Sequence, residues 1–204
     1  MNSHTSALLL APLLAAAGLA LSRPWSAPRA TAENDPRQAM LAALGATGPH
    51  PSLGAEGELF DRFVGTWDTE YAILAPDGSK QRYSGEVRFG WVLDGLVLQD
   101  IWIARGPHGE RTAGTTLRFF DEKKKSWRVV WIAPAFQTVT TLEGGRQGER
   151  IVLCGTDADG SLLRWSFEEL RTDSFVWHGE RSRDDGKTWQ LEEENHMRRR
   201  VEQG

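Results

Sequence analysis

The chain has 204 residues, 24 of them basic and 28 acidic, for a net charge of -4. That length supports one domain with a sizeable core and falls short of a multi-blade propeller. Nothing in the charge balance suits a phosphate backbone or an anionic membrane surface, so nucleic acid is not an expected partner. The single cysteine, Cys154, excludes an internal disulfide and leaves the compartment open.

The N-terminus has two readings. Residues 7–21, ALLLAPLLAAAGLAL, have the length of a signal-peptide apolar region and are too short for a membrane span, and Ala30 to Ala32 offer a cleavage site. The charge order runs the other way, because MNSHTS carries no Lys or Arg while Arg23 and Arg29 follow the apolar run. The protein is periplasmic or secreted if residues 7–21 act as a signal peptide, and cytoplasmic if translation starts at Met40. In either case residues 1–50 form a signal-peptide-like or disordered leader, ATGPHPSLGAEG is a Gly/Pro-rich lead-in, and the folded domain spans 56–200.

In chain order, EGELFDRF comes first and sets Leu59, Phe60 and Phe63 on one side of a short helical turn. From residue 64 the period is two. The strands VGTWDTEYAIL, KQRYSGEVRFGWV, LVLQDIWIA, GTTLRFFD, WRVVWIA, FQTVTTLEG, ERIVLCGT, LLRWSFEEL, FVWHGERS and WQLEEENHMRRR follow one another, ten in all. Turns such as APDGS, LDG, DADG and RDDGK separate them, with Asp-Gly pairs that tolerate positive φ. Ten hairpin-linked strands predict an all-β fold, a single up-and-down antiparallel β-barrel, since only closure removes both sheet edges.

Parity assigns the faces. Tyr83, Gly85, Val87, Phe89 and Trp91 alternate with Arg82, Ser84, Glu86 and Arg88, so odd positions point inward. Trp67, Thr69, Tyr71 and Ile73 follow the same rule, as do Leu163, Trp165 and Phe167. LVLQDIWIA and WRVVWIA are apolar on both faces, which predicts a wall covered from outside and a homodimer formed through it.

SRDDGKTW, at residues 182–189, matches the Asp-box of glycan-cleaving propellers letter for letter. That box recurs once per blade, and here it occurs once, in a chain too short for blades. It reads as a hairpin turn at Asp184, Asp185 and Gly186.

A second resemblance covers far more of the chain. Gly65-Thr66-Trp67 in FVGTWDTEY matches the G-x-W signature of the calycins, and the last strand ends in MRRR. Over residues 56–200 the chain resembles that superfamily of lipocalins and fatty-acid-binding proteins. It is most similar to bacterial lipocalin-like domains of unknown function, through FVGTWDTEY, GWVLDG, TTLRFFD and WRVVWI. The resemblance implies a calycin-like barrel with a central cavity, and an Arg of the last strand packed over Trp67 to close its base. Arg198 or Arg200 is the candidate, and a guanidinium over an indole contributes about 0.5–2 kcal/mol. Gly65 lets the chain bend into the barrel. No particular activity is implied, because the fold hosts carriers, haem binders and enzymes.

The inward parity gathers Trp91, Trp131, Trp165, Trp177 and Trp189 with Tyr71, Phe89, Phe119 and Phe175. So many large rings leave irregular space, and an aromatic-lined pocket suits a flat or apolar ligand. On the last strand Glu193 and Asn195 share a face with Trp189, Leu191 and Met197. They read as a polar anchor with Tyr83 or Arg181, as a satisfied internal network, or as a pair that a bulge turns outward. His178, Glu180, Glu194 and His196 fall on the opposite parity and read as a solvated charged face, so no metal is expected. His108 has no nucleophile beside it, no Ser sits in a G-x-S-x-G elbow, and acyl transfer is unsupported.

These readings converge on non-catalytic binding of a small hydrophobic or aromatic molecule inside the barrel, without a cofactor. The expected contacts are Tyr71, Tyr83, Trp91, Phe119, Trp131, Trp165, Trp177 and Glu193. Two alternatives use the same barrel. One is a small enzyme of isomerase, cyclase or dehydratase type with Glu193 as acid or base. The other is a haem protein, for which the late His196 resembles the proximal His of the nitrobindin branch.

Overall fold

Strict alternation of apolar and polar residues produces the strands, and Asp-Gly turns return each one onto the last. The computed structural model describes residues 35–105 and 110–201. The apolar run 7–21, its flanking arginines, Ala30 to Ala32 and His108 lie outside the described residues. Two helices, α1 (Pro36–Leu44) and α2 (Ala55–Asp61), precede the strands β1 (Gly65–Leu74), β2 (Lys80–Val92), β3 (Val97–Arg105), β4 (Arg111–Asp121) and β5 (Ser126–Ala133). Then come β6 (Thr138–Gln147), β7 (Arg150–Thr156), β8 (Leu162–Glu168), β9 (Ser174–Ser182) and β10 (Gln190–Arg199). Each strand pairs antiparallel with the next, and β10 pairs with β1, so the protein is a closed ten-stranded up-and-down barrel. Closure satisfies every strand edge from within.

One end of the barrel is filled. Helix α2 and the turn after it drive Phe60 and Phe63 into the opening, where Phe60 meets Trp127 edge-on at 4.7 Å and Phe63 meets Phe175 at 4.8 Å. Trp91 clamps the helix, its Nε1 donating to Asp61 Oδ1 at 2.8 Å. Helix α1 buries no side chain. The segment behind it is nevertheless tied to the β2–β3 turn: Ala46 N–H donates to the Trp91 carbonyl and His50 N–H to that of Gly95, both at 2.9 Å. The leader boundary expected at residue 50 therefore falls inside a stretch bonded to the barrel.

Trp67 closes the base, but with a different partner from the two expected. Register sets Trp67 opposite Arg199, whose guanidinium lies 4.2 Å from the ring and donates to the carbonyls of Thr172, Val64 and Arg62. Arg198 is exposed opposite Asp68, and Arg200 pairs with Asp68 and Glu86 on the outer wall. The cause is parity, since Arg199 continues the inward face of Asn195 and Met197. Gly65 opens β1 at φ 123°, and a Cβ there would come within 3.0 Å of the Arg199 guanidinium.

Two further expectations change. Phe119 points outward and is 39% exposed, because β4 turns Thr116, Arg118 and Phe120 inward instead. On β10 a register shift between Leu191 and Glu193 reverses the parity. Trp189 consequently lies outside, 4.1 Å under the Arg164 guanidinium, while Glu193 sits opposite Gly179 on the inner face. The SRDDGKTW hairpin just before it is a self-bonded turn: Ser182 Oγ accepts from Gly186 N–H at 2.8 Å, and Asp184 Oδ1 from Thr188 N–H at 2.8 Å.

Candidate functional site

The half of the barrel away from α2 encloses a cavity of about 240 Å³. This is a little below the ~300–1,000 Å³ common for ligand pockets and sized for a small molecule. Its floor is Phe89, Phe167 and Phe175, the upper surface of the aromatic plug, and its mouth is edged by the exposed side chains of Ile73 and Phe136.

Five large aromatic side chains form the wall, each from a different strand. Tyr71 meets Trp102 at 5.4 Å and 65°, Trp102 meets Trp131 at 6.1 Å and 80°, and Trp165 meets Trp177 at 5.4 Å and 66°. Edge-to-face contacts of this kind fix the rings and leave flat faces toward the cavity. Inward glycines make the room. A Cβ at Gly114 would overlap the Trp131 ring, and one at Gly179 would lie 2.8 Å from that of Trp177.

Two polar features interrupt the apolar lining. Deep in the barrel, Arg118 Nη1 donates to Asp100 Oδ2 at 2.6 Å, with the two side chains 4% and 5% exposed. The Arg118 guanidinium also sits 5.6 to 5.8 Å from the rings of Phe60, Phe89 and Phe167, and its Nε has no partner. Nearer the mouth is Glu193. Asn195 Nδ2 donates to its Oε1 at 3.0 Å, and Asn195 Oδ1 is left unpartnered. Burial pushes the Glu193 carboxyl above its ordinary value, against a smaller lowering by the Asn195 amide. The Tyr71 hydroxyl is pushed up to about 12, by burial first and then by the nearby Glu193 and Tyr83.

The Glu193 shift ties stability to pH. The folded-state value is raised, so the native protein holds its proton longer than the unfolded chain, and stability falls as pH rises through the folded-state value. Glu193→Gln is expected to raise the free energy of unfolding at about pH 8. The gain should vanish near pH 4, below the ordinary value of 4.5, where the carboxyl is protonated in both states. Urea titrations at the two pH values measure this, and an equal gain at both would show that ionisation is not its source.

Of the residues expected from sequence, Tyr71, Trp131, Trp165, Trp177 and Glu193 line the cavity. Tyr83 does not. It stacks on Tyr71 at 5.2 Å and donates its hydroxyl to Gln81 Oε1 at the rim. Trp91 belongs to the filled end and Phe119 to the outer wall. Arg181, considered as a companion of Glu193, instead bonds Asp157, Ser161 and Glu192. His196 faces out beside Glu194, so it cannot serve as an axial haem ligand from within the barrel. Among the described residues, no group of three or more His, Cys, Asp or Glu is placed to hold a metal. The lining residues that sequence reasoning passed over are Asp100, Trp102, Thr116, Arg118 and Phe136. A signal for the ion pair existed: Asp100 shares parity with Leu98 and Trp102, and Arg118 with Thr116 and Phe120, so adjacent strands carry opposite charges on an apolar face.

Solved structures with the same barrel include the S-type phycobiliprotein lyase CPES from Guillardia theta. It is 11% identical with a TM-score of 0.51, over 72% of this chain and 93% of that one. Rv2717c from M. tuberculosis is 16% identical with a TM-score of 0.52, over 75% of this chain and 99% of that one. At such identities the likeness is one of fold. No curated protein matches the sequence. Residues 52–166, more than half of the chain, match the family described as protein of unknown function (DUF1579), and the chain belongs to that family.

Proposed function

We propose that this barrel is a calycin-type binding module that holds one small, largely apolar molecule in the cavity above the aromatic plug. The observation that carries the reading is the open half of the barrel. Trp102, Trp131, Trp165, Trp177 and Tyr71 enclose about 240 Å³ there instead of filling it, while the other half is packed solid by Phe60, Phe63 and Trp127. A barrel needing only a core would collapse these rings onto one another, since unfilled apolar volume costs stability. Inward glycines beneath Trp131 and Trp177 support the same reading, because they hold the rings back against the wall.

The test uses the fluorescent apolar probe anilinonaphthalene sulfonate. Its emission should rise on mixing with the protein, and the double variant Trp131→Ala, Trp165→Ala should bind it roughly tenfold more weakly while far-UV circular dichroism stays unchanged. No rise with the unaltered protein, or equal binding by a folded double variant, would remove the pocket reading.

A further inference from the structure

Asp100, Arg118 and Glu193 are the acidic and basic side chains lining the cavity. Asp100 and Arg118 neutralise one another at 2.6 Å, so the guanidinium adds no net positive charge for an anion. Among the described residues Glu193 has no such partner. Facing it are Tyr71 and Ile73 from β1, Trp177 and Gly179 from β9, and Asn195 from its own strand, with Tyr83 beyond Tyr71. Arg181, on the neighbouring strand, is taken by Asp157 and Glu192. Burial raises the carboxyl above its ordinary value and the Asn195 amide lowers it by less.

A carboxyl enclosed by electron-rich rings, with no cation of its own, is the complement of an ammonium group. The carboxylate supplies the counter-charge and the ring faces solvate the remaining N–H and C–H edges. Trp177 and Tyr71 stand opposite Asn195, diagonal to Glu193 on its two neighbouring strands, and Trp165 backs Trp177. Resting on the binding reading above, we propose that the cavity selects a small amine with an apolar body, its ammonium nitrogen pairing with Glu193 between Tyr71 and Trp177. An ammonium that enters pairs with the carboxylate, and any proton the carboxyl carried passes to solvent or, for an amine that arrives neutral, to the amine. Either route leaves one carboxylate and one ammonium in the site.

Three probes of one shape and different charge test this: phenethylamine, phenethyl alcohol and hydrocinnamate, titrated by calorimetry at about pH 7. The amine should bind about tenfold or more tightly than the alcohol, and Glu193→Gln should erase that preference. Equal affinity for amine and alcohol would overturn the amine assignment while leaving the pocket standing. Preference for hydrocinnamate would overturn it in favour of an anion reaching the free Arg118 Nε. Absence of all three, with anilinonaphthalene sulfonate still bound, would also overturn it. If the probe fails too, the pocket reading falls with it. Should Glu193→Gln not fold, the ranking of the three probes on the unaltered protein decides.

Discussion

Asp100→Ala is expected to lower the free energy of unfolding by about 3–5 kcal/mol, the cost of leaving a buried charge without its partner. The Arg118 guanidinium cannot escape to water: its side chain is 4% exposed, three phenylalanine rings surround it, and its Nε already lacks a partner. Removing Asp100 takes away the carboxylate that compensates it. The double variant Asp100→Leu, Arg118→Met should recover most of the loss, because apolar groups of similar volume replace a buried ion pair at little cost. Chemical denaturation followed by tryptophan fluorescence measures both. A loss below about 1 kcal/mol for Asp100→Ala would mean that water reaches Arg118 from the cavity.

Phe60→Ala should be comparably damaging, at about 3–5 kcal/mol. Phe60 is fully buried and touches Trp127, Phe63 and Phe167 at ring distances of 4.7, 6.0 and 6.2 Å. Truncating it empties the centre of the plug, and the surrounding barrel strands are too constrained by their ladders to close in. The matching control is Met40→Ala on α1, where the side chain is 69% exposed and the helix buries nothing. That change should leave stability within about 0.5 kcal/mol. Equal, small losses for the two would mean that α2 does not seal the barrel.

The strands were legible because alternation and Asp-Gly turns are local. β2 runs over Lys80–Val92, the same residues that the alternating run KQRYSGEVRFGWV covers, and Trp67 was recognisable as the base of the barrel from its place on strand one. What stayed hidden depends on two strands at once. The inward face of β4 shows only when Arg118 is set beside Asp100 on β3, and without that pairing Phe119 was placed on the wrong side. The bulge between Leu191 and Glu193 leaves no mark in the residues, yet it decides that Trp189 packs under Arg164 outside while Glu193 enters the cavity. Arg199 was within reach, since the parity that carries Asn195 and Met197 inward carries it too. The cavity was legible only as an excess of rings. Its volume depends on how Trp131 and Trp177 lie across Gly114 and Gly179, a matter of rotamers that no spacing encodes.

The pairing of β1 with β10 joins the two ends of the barrel sequence. Trp67 and Arg199 lie on the first and last strands, so the contact that locks the base joins residues far apart along the chain. Native contacts of such long sequence separation place the protein among slow folders, in the range of milliseconds to seconds. On the ribosome, nine strands emerge before the seam can close, and β1 then presents an unpaired edge to any neighbouring chain. The two residues that lock the base, one near each end of the barrel sequence, therefore also limit how long the nascent protein stays open to aggregation.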